Sequence, residues 1–172
     1  MKIKLILLVM GIILGVSKEV VEEKVDDFMI IGVSVETTNQ DGQAAQDMSG
    51  LWQKFFTEGV SNRIANKTSE DVFVLYTDYE KDYKGRYTAI IGHKVHSVDE
   101  VPEGLMGWTF QGGNYLKLTA KGEVPGSVVN VWNEVWSKDE ALHRRYTVDY
   151  EVYGPDSQKG PNSEVNVFIA VD

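Results

Sequence analysis

One order of predicted elements, a strand, an amphipathic helix and two further strands, occurs twice in this 172-residue chain and constrains its fold more than any other feature. The helical stripe of the first half carries Trp52 and Phe56, and that of the second half carries Trp132 and Trp136. Because each helix has a single apolar stripe, both should cover the same face of a mostly antiparallel sheet. We therefore predict an α+β domain of tandem duplicated β-α-β-β units, with two helices on one face and a groove between the units.

The predicted elements follow the same order in both halves. The first unit has strands over 28–35, 72–79 and 86–94 and a helix from Asp41 to Gly59. A short extra strand follows over 106–110, and the second unit has strands over 114–120, 145–153 and 164–171 and a helix that starts at 125–127.

The amino-terminal residues have the pattern of a secretory signal peptide. Lys2 and Lys4 precede an apolar run over 5–16, and residues 15–17 are small enough for a signal peptidase site. This run is too short for a membrane-spanning helix, which needs about 20 residues. An uncleaved membrane anchor is the alternative. We predict an exported protein, periplasmic or extracellular, with a signal peptide over 1–17, a charged lead-in over 18–27 and the domain over 28–172.

Charge and composition exclude several classes of function. Removal of residues 1–17 would leave 15 basic against 26 acidic residues, whereas nucleic-acid binding needs clustered Lys and Arg. The chain has no cysteine, so it has no disulfide, thiolate metal site or cysteine nucleophile. His93 and His96 do not share a strand face and lack a third ligand. We therefore predict no nucleic-acid partner, no metal and no cofactor, and the oligomeric state stays open.

Glu151 is the most informative candidate for function. Alternation along the predicted strand groups Asp149, Glu151 and Tyr153 on one face and Tyr150 on the other. We expect Glu151 on the sheet surface that the helices leave uncovered, in a recessed site between the units. A solvated acidic strand face is the alternative. The same alternation directs other aromatic residues towards that surface, namely Tyr115, Tyr153, Phe168 and, in the register assumed for its strand, Tyr87.

The chain resembles a known family from about Phe28 to Val171. The family is that of the GyrI-like small-molecule-binding domains, the effector-binding modules of AraC-type and MerR-type transcription regulators. The resemblance implies the same tandem β-α-β-β fold. Its motifs are Val74-Leu-Tyr-Thr-Asp-Tyr79, Gly85-Arg-Tyr-Thr-Ala-Ile-Ile-Gly92, Val101-Pro-Glu-Gly104, Val131-Trp132-x-x-x-Trp136 and Asp149-Tyr-Glu-Val-Tyr153.

The resemblance also implies a ligand class. The family's acid at the position of Glu151 lies in an aromatic pocket and pairs with lipophilic cations, and Trp108 and Trp132 are implied as pocket walls. Core packing is the alternative for Trp132. No helix-turn-helix segment is visible, which separates this chain from the regulators. The leading hypothesis is a stand-alone, exported domain that binds a lipophilic, cationic small molecule and has no catalytic residues.

Two other classes of function stay open. Some stand-alone relatives resemble hydrolases of strained, cyclopropane-containing electrophiles, and Glu151 with Tyr115 or Tyr153 could supply the acid–base catalysis. A protein-interaction module is the third class. We favour binding over catalysis because no nucleophile motif or phosphate loop is present.

Overall fold

The duplicated order predicted from the sequence is present as two three-stranded units joined into one antiparallel sheet. A computed structural model describes residues 20–172. The elements are β1 (Val20–Val25), β2 (Phe28–Thr38), α1 (Gln43–Thr57), α2 (Val60–Arg63), β3 (Val72–Thr77), β4 (Arg86–Val95), β5 (Met106–Phe110), β6 (Gly113–Lys121), α3 (Gly126–Ser137), β7 (Val148–Tyr153) and β8 (Glu164–Val171).

The strand order in the sheet is β1-β6-β8-β7-β3-β4-β2-β5, so the unit β6-β8-β7 meets the unit β3-β4-β2 at the central pair β7 and β3. This confirms the predicted α+β class and the mostly antiparallel sheet.

The structure differs from the predicted boundaries at several element ends. The strand predicted over 72–79 ends at Thr77, before Asp78 with its φ of 51°, and the strand predicted over 28–35 continues to Thr38. The predicted helix from Asp41 to Gly59 ends at Thr57, because Gly59 adopts a left-handed conformation (φ 57°) before the short α2. The strand predicted from residue 145 begins at Val148, because Tyr146 has a φ of 54°. Part of the predicted lead-in forms β1, an edge strand along β6 that carries too many exposed charges to show a strand pattern.

The predicted signal peptide over 1–17 lies outside the described residues. Within residues 20–172, every helix is too short or too polar to cross a bilayer.

Both long helices pack on the same face of the sheet. In α1, Leu51 and Phe55 are buried against the unit that contains Val74, and in α3, Val131 is buried against the unit that contains Val167. Directly paired residues on neighbouring strands share a face. One such row crosses the six strands of the two units beneath the helices, and it consists of Val33, Ile91, Val74, Glu151, Val167 and Leu118.

This row corrects the predicted position of Glu151. The residue lies at the centre of the helix-covered face, at the junction of the two units, and not on the uncovered surface. Alternation correctly separates Glu151 from Tyr150, but the register pairs Glu151 with Val167 and Tyr150 with Phe168. Phe168 is therefore on the face opposite Glu151. Periodicity within each strand cannot show how two strands align with each other.

The opposite face of the sheet encloses a second core because the sheet curls strongly. Only two residues connect β1 to β2, and only two connect β5 to β6, although each link joins strands of different units. These links approach so closely that a Cβ on Gly112 would lie 2.1 Å from the carbonyl oxygen of Val25. Phe28 and Tyr150, from different units, consequently bring their rings within 5.4 Å. This face forms a second core that is rich in aromatic side chains.

Candidate ligand-binding site

A cavity of about 570 Å³ opens between α1 and α3, above the centre of the sheet. Its floor is formed by strand residues, among them Tyr76, Glu151 and Tyr153. Small residues at the start of α1, Ala44 and Ala45, leave room for the opening. The other lining side chains come from both helices and from the loops at one end, and they include Met48, Trp52, Tyr79, Tyr83, Tyr87, Val128, Val129, Trp132, Trp136 and Arg144.

The carboxylate of Glu151 lies in this floor and is only 3% exposed. Its Oε1 accepts hydrogen bonds from Trp132 Nε1 at 2.6 Å and from the Tyr76 hydroxyl at 2.8 Å. Its Oε2 accepts one from the Tyr153 hydroxyl at 2.7 Å. Burial raises the pKa of Glu151, and the hydrogen bonds from Tyr153, Trp132 and Tyr76 oppose that rise.

All three partners of Glu151 are neutral. Within residues 20–172, no Lys, Arg or His side chain forms an ion pair with its carboxylate. A buried carboxylate is costly unless an opposite charge compensates it. No ion pair within residues 20–172 therefore compensates a charge on Glu151.

Aromatic rings surround this carboxylate at right angles to one another. Tyr76 and Trp132 pack edge to face with centroids 5.2 Å apart, and Trp52 and Tyr153 do so at 5.6 Å. Near one end of the cavity, Tyr83 stacks on Trp136. Ring faces carry partial negative charge and attract cations. The cavity thus combines a formal negative charge with apolar, cation-attracting walls.

A second buried carboxylate, Asp149, lies two residues earlier on the same strand face. Its Oδ2 accepts from Arg144 Nη2 and from the Tyr79 hydroxyl, both at 2.7 Å, and its Oδ1 accepts from the Ala170 amide at 2.8 Å. Burial is the largest single influence on the pKa of Arg144 and lowers it, but Asp149, Tyr79 and Tyr146 together outweigh burial, so that the pKa is raised. Asp149 is thus compensated within the chain.

The structure brings together four of the seven predicted site residues. Glu151, Trp132, Tyr153 and Tyr87 all line the cavity. Tyr87 donates its hydroxyl proton to Asn39 Oδ1 at 2.7 Å and contacts the ring of Tyr76.

The other three predicted site residues lie on the opposite face. Tyr115 and Phe168 are buried with Tyr150 in the second core, and Trp108 of edge strand β5 pairs with Ile30 beside them. They are therefore not walls of the Glu151 cavity. Because Tyr115 lies on the opposite face, it cannot assist Glu151 in the acid–base catalysis of the hydrolase hypothesis.

Sequence reasoning missed other cavity residues, above all Tyr76, Trp52 and Arg144. Tyr76 could have been found, because it alternates in phase with Val74 in one of the motifs named above. Trp52 was grouped with the core stripe of α1, although its ring reaches the cavity. Nothing in the sequence pattern points to Arg144. No cluster of three or more His, Asp or Glu side chains in the described part of the chain is placed to hold a metal.

A duplicated sheet with an aromatic cavity between its two helices defines the class of an effector-binding domain, and comparison with known proteins agrees. Residues 23–171 match the family Cass2, described as integron-associated effector binding protein. The chain belongs to this family. The predicted resemblance to GyrI-like effector-binding domains is thereby confirmed.

Similar proteins come from several bacteria. YobU of Bacillus subtilis (strain 168), named as a candidate transcriptional regulator, is 23% identical over 143 residues, which are 81% of this chain and 89% of YobU. The integron cassette protein VCH_CASS2 of Vibrio cholerae is 29% identical, with a TM-score of 0.71 over 89% of this chain and 95% of that one. SAV2435, solved bound to tetraphenylphosphonium, is 17% identical, with a TM-score of 0.75 over 91% and 94% of the two chains.

Proposed function

We propose that this effector-binding domain captures lipophilic organic cations in the cavity between α1 and α3, with Glu151 as the counter-charge. The observation that carries the proposal is a buried carboxylate with three neutral donors and no cation of its own, inside an aromatic cavity. A bound cation would relieve the desolvation of Glu151. Each well-placed ring would add about 0.5–2 kcal/mol.

Two further observations support this ligand class. The cavity of about 570 Å³ falls within the roughly 300–1,000 Å³ of small-molecule sites. SAV2435, which shares the fold, binds a bulky lipophilic cation, tetraphenylphosphonium. That compound is therefore the first probe to use.

Calorimetric titration with tetraphenylphosphonium tests the proposal. We expect binding to the wild type and an about 10- to 100-fold weaker affinity for Glu151→Gln, because a buried charge pair is lost. Glu164→Gln is the matched control, since it removes the same charge from an exposed ion pair at the start of β8, and it should leave the affinity unchanged. Equal affinity of the wild type and Glu151→Gln would overturn the role of Glu151.

The same samples separate binding from catalysis. Mass spectrometry of the probe and of a cyclopropane-containing electrophile after incubation should recover both compounds intact. Conversion that depends on Glu151 and Tyr153 would favour the hydrolase hypothesis instead.

We also propose that the domain acts outside the cytoplasm, because residues 2–17 have the composition of a signal peptide. In a bacterial host, the mature chain should begin near Lys18 and accumulate in the extracytoplasmic fraction. A Leu8→Arg change in the apolar run should keep it in the cytoplasm. An unprocessed wild-type chain in the cytoplasm would contradict export.

A further inference from the structure

A second cavity, of about 800 Å³, adjoins the Glu151 cavity. Trp52 and Tyr153 line both cavities, and their rings pack edge to face with centroids 5.6 Å apart. The second cavity, which we call the outer cavity, is further lined by the end of α1, by the segments that precede β3 and α3 and by the loop after β7. These other lining residues are separate from the Glu151 site, so the outer cavity has its own binding chemistry.

Phe56 presents an aromatic ring to the outer cavity. It is 67% exposed, more than any other large apolar residue within residues 20–172. One face of its ring stacks on Trp52, with centroids 5.5 Å apart and an angle of 20° between the planes, and the ring also contacts Phe55 edge to face. These two neighbours hold the ring in place, and its exposure leaves the other face free. A flat ring that covered this face would remove apolar surface from water on both partners.

Every charged side chain that lines the outer cavity is a carboxylate, namely those of Glu70, Asp71 and Glu123. Lys67 compensates Glu70 through an ion pair of 2.8 Å. Asp71 and Glu123 form no ion pair within residues 20–172. The outer cavity therefore carries a net negative charge, which attracts cations and repels anions. Together with the free face of Phe56, this charge suits a flat aromatic cation.

We propose that the outer cavity is a second ligand site, which binds a flat aromatic cation stacked on the free face of Phe56 with Asp71 and Glu123 as counter-charges. This inference goes beyond the proposed function, because the ring and the carboxylates that carry it are distinct from Glu151 and its three donors. The two sites also differ in their access to solvent. Glu151 is buried, whereas Phe56 and Glu123 are exposed, so the outer site should bind more weakly and lose more affinity at high salt.

A charged and a neutral probe of the same shape test this inference. They are 1-methylquinolinium and, at about pH 8, uncharged quinoline. Calorimetric titration of Glu151→Gln isolates the outer site, because this substitution weakens binding in the Glu151 cavity. We expect this variant to bind 1-methylquinolinium about 10-fold more tightly than quinoline, because only the charged ring is attracted by the face of Phe56 and by the carboxylates. Native mass spectrometry of the wild type should detect two bound 1-methylquinolinium molecules at saturation.

Substitutions at two exposed residues assign this binding to the outer cavity. In the Glu151→Gln background, Phe56→Ala should weaken binding of 1-methylquinolinium about 10-fold, and Glu123→Gln should weaken it about threefold at low salt. The matched controls are Met106→Ala, which removes an exposed apolar side chain from β5, and Glu22→Gln, which removes an exposed carboxylate from β1. Neither control residue lines either cavity, so both should leave the affinity unchanged. All four substituted residues are exposed, so the variants should fold as their parent does.

The outcomes separate this inference from the proposed function. Equal affinity for 1-methylquinolinium and quinoline, or unchanged affinity in both Phe56→Ala and Glu123→Gln, would overturn the second site, whatever tetraphenylphosphonium does at Glu151. If Glu151→Gln binds tetraphenylphosphonium as the wild type does, the proposed function fails. Binding of 1-methylquinolinium that depends on Phe56 would still establish the outer site in that case.

Discussion

Asp149 and Glu151 lie two residues apart on one face of the same strand, and both are buried, with 0% and 3% exposure. Asp149 has a compensating charge from Arg144 together with the Tyr79 hydroxyl and the Ala170 amide. Glu151 receives only neutral donors. The two carboxylates therefore differ in how their charge is compensated, although their sequence context and burial are almost the same.

The difference shows that burial alone does not determine whether a carboxylate has a counter-charge. Asp149 faces the segment before β7, which returns over the sheet and supplies Arg144. Glu151 faces the gap between α1 and α3, where no element of residues 20–172 delivers a cation. A compensated charge stabilises the fold, whereas an uncompensated one beside a cavity leaves free energy that a ligand can recover.

The largest expected effect on stability comes from removal of Arg144, whose charge compensates that of Asp149. Arg144→Met leaves Asp149 buried without a counter-charge, and we expect it to lower the free energy of unfolding by about 3–5 kcal/mol in urea denaturation. The control, Arg145→Met, removes an exposed ion pair and should change stability by less than about 1 kcal/mol. Similar losses in the two variants would break the distinction between the carboxylates.

Glu151→Gln removes the uncompensated charge and should change the free energy of unfolding by no more than about 2 kcal/mol. The size of this change should depend on pH. Because burial raises the folded-state pKa of Glu151, the folded chain holds this proton more tightly than the unfolded chain. Below pH 4.5, the ordinary pKa of a glutamate, the Glu151 carboxyl is protonated in both states and burial of a charge costs no stability. As pH rises through the raised folded-state pKa, the folded chain must bury the charged carboxylate and loses stability. Relative to Glu151→Gln, the wild type should therefore lose stability as pH rises above about 4.5. A wild type that gained stability over this range would contradict the assignment.

Two tyrosine substitutions sharpen the comparison further. Tyr153→Phe removes a donor from Glu151 and Tyr79→Phe removes one from Asp149, and each should cost about 1–2 kcal/mol of stability. Only Tyr153→Phe should raise the pKa of Glu151 further. Cation affinity should then fall off at a higher pH in Tyr153→Phe than in the wild type or in Tyr79→Phe. An equal shift in both variants would contradict the assignment of Tyr153 as the donor to Glu151.

The smallest effect on binding should come from the other face of the sheet. Tyr115→Phe and Phe168→Leu alter the second core, so the affinity for tetraphenylphosphonium should stay within about twofold of the wild type. Phe168→Leu should still lower the free energy of unfolding by about 1 kcal/mol, and this loss would show that the substitution perturbs the second core. A tenfold loss of affinity in Tyr115→Phe would place the ligand on the face we exclude.

Much of the fold but only a small part of the cavity could be predicted from the sequence. The stripes through Trp52 and Trp132 predicted two helices on one face, and alternation in β7 grouped Glu151 with Tyr153. Both patterns are periodicities within a single segment, so they are visible in the sequence of that segment alone. Tyr115 and Phe168 could not be assigned correctly, because their side of the sheet depends on the register between β7 and β8.

The sequence by itself determined the duplicated α+β architecture, the resemblance to GyrI-like domains and the choice of Glu151 as the leading candidate site residue, because each depends on residue type and spacing along the chain. Only the tertiary structure decided which face carries the site, that the opposite face forms a second core, and that Arg144 compensates Asp149 and leaves Glu151 without a cation. The physical reason is that compensation of a charge depends on distances between side chains from separate elements. Those distances follow from strand register and sheet curvature, which no single segment encodes.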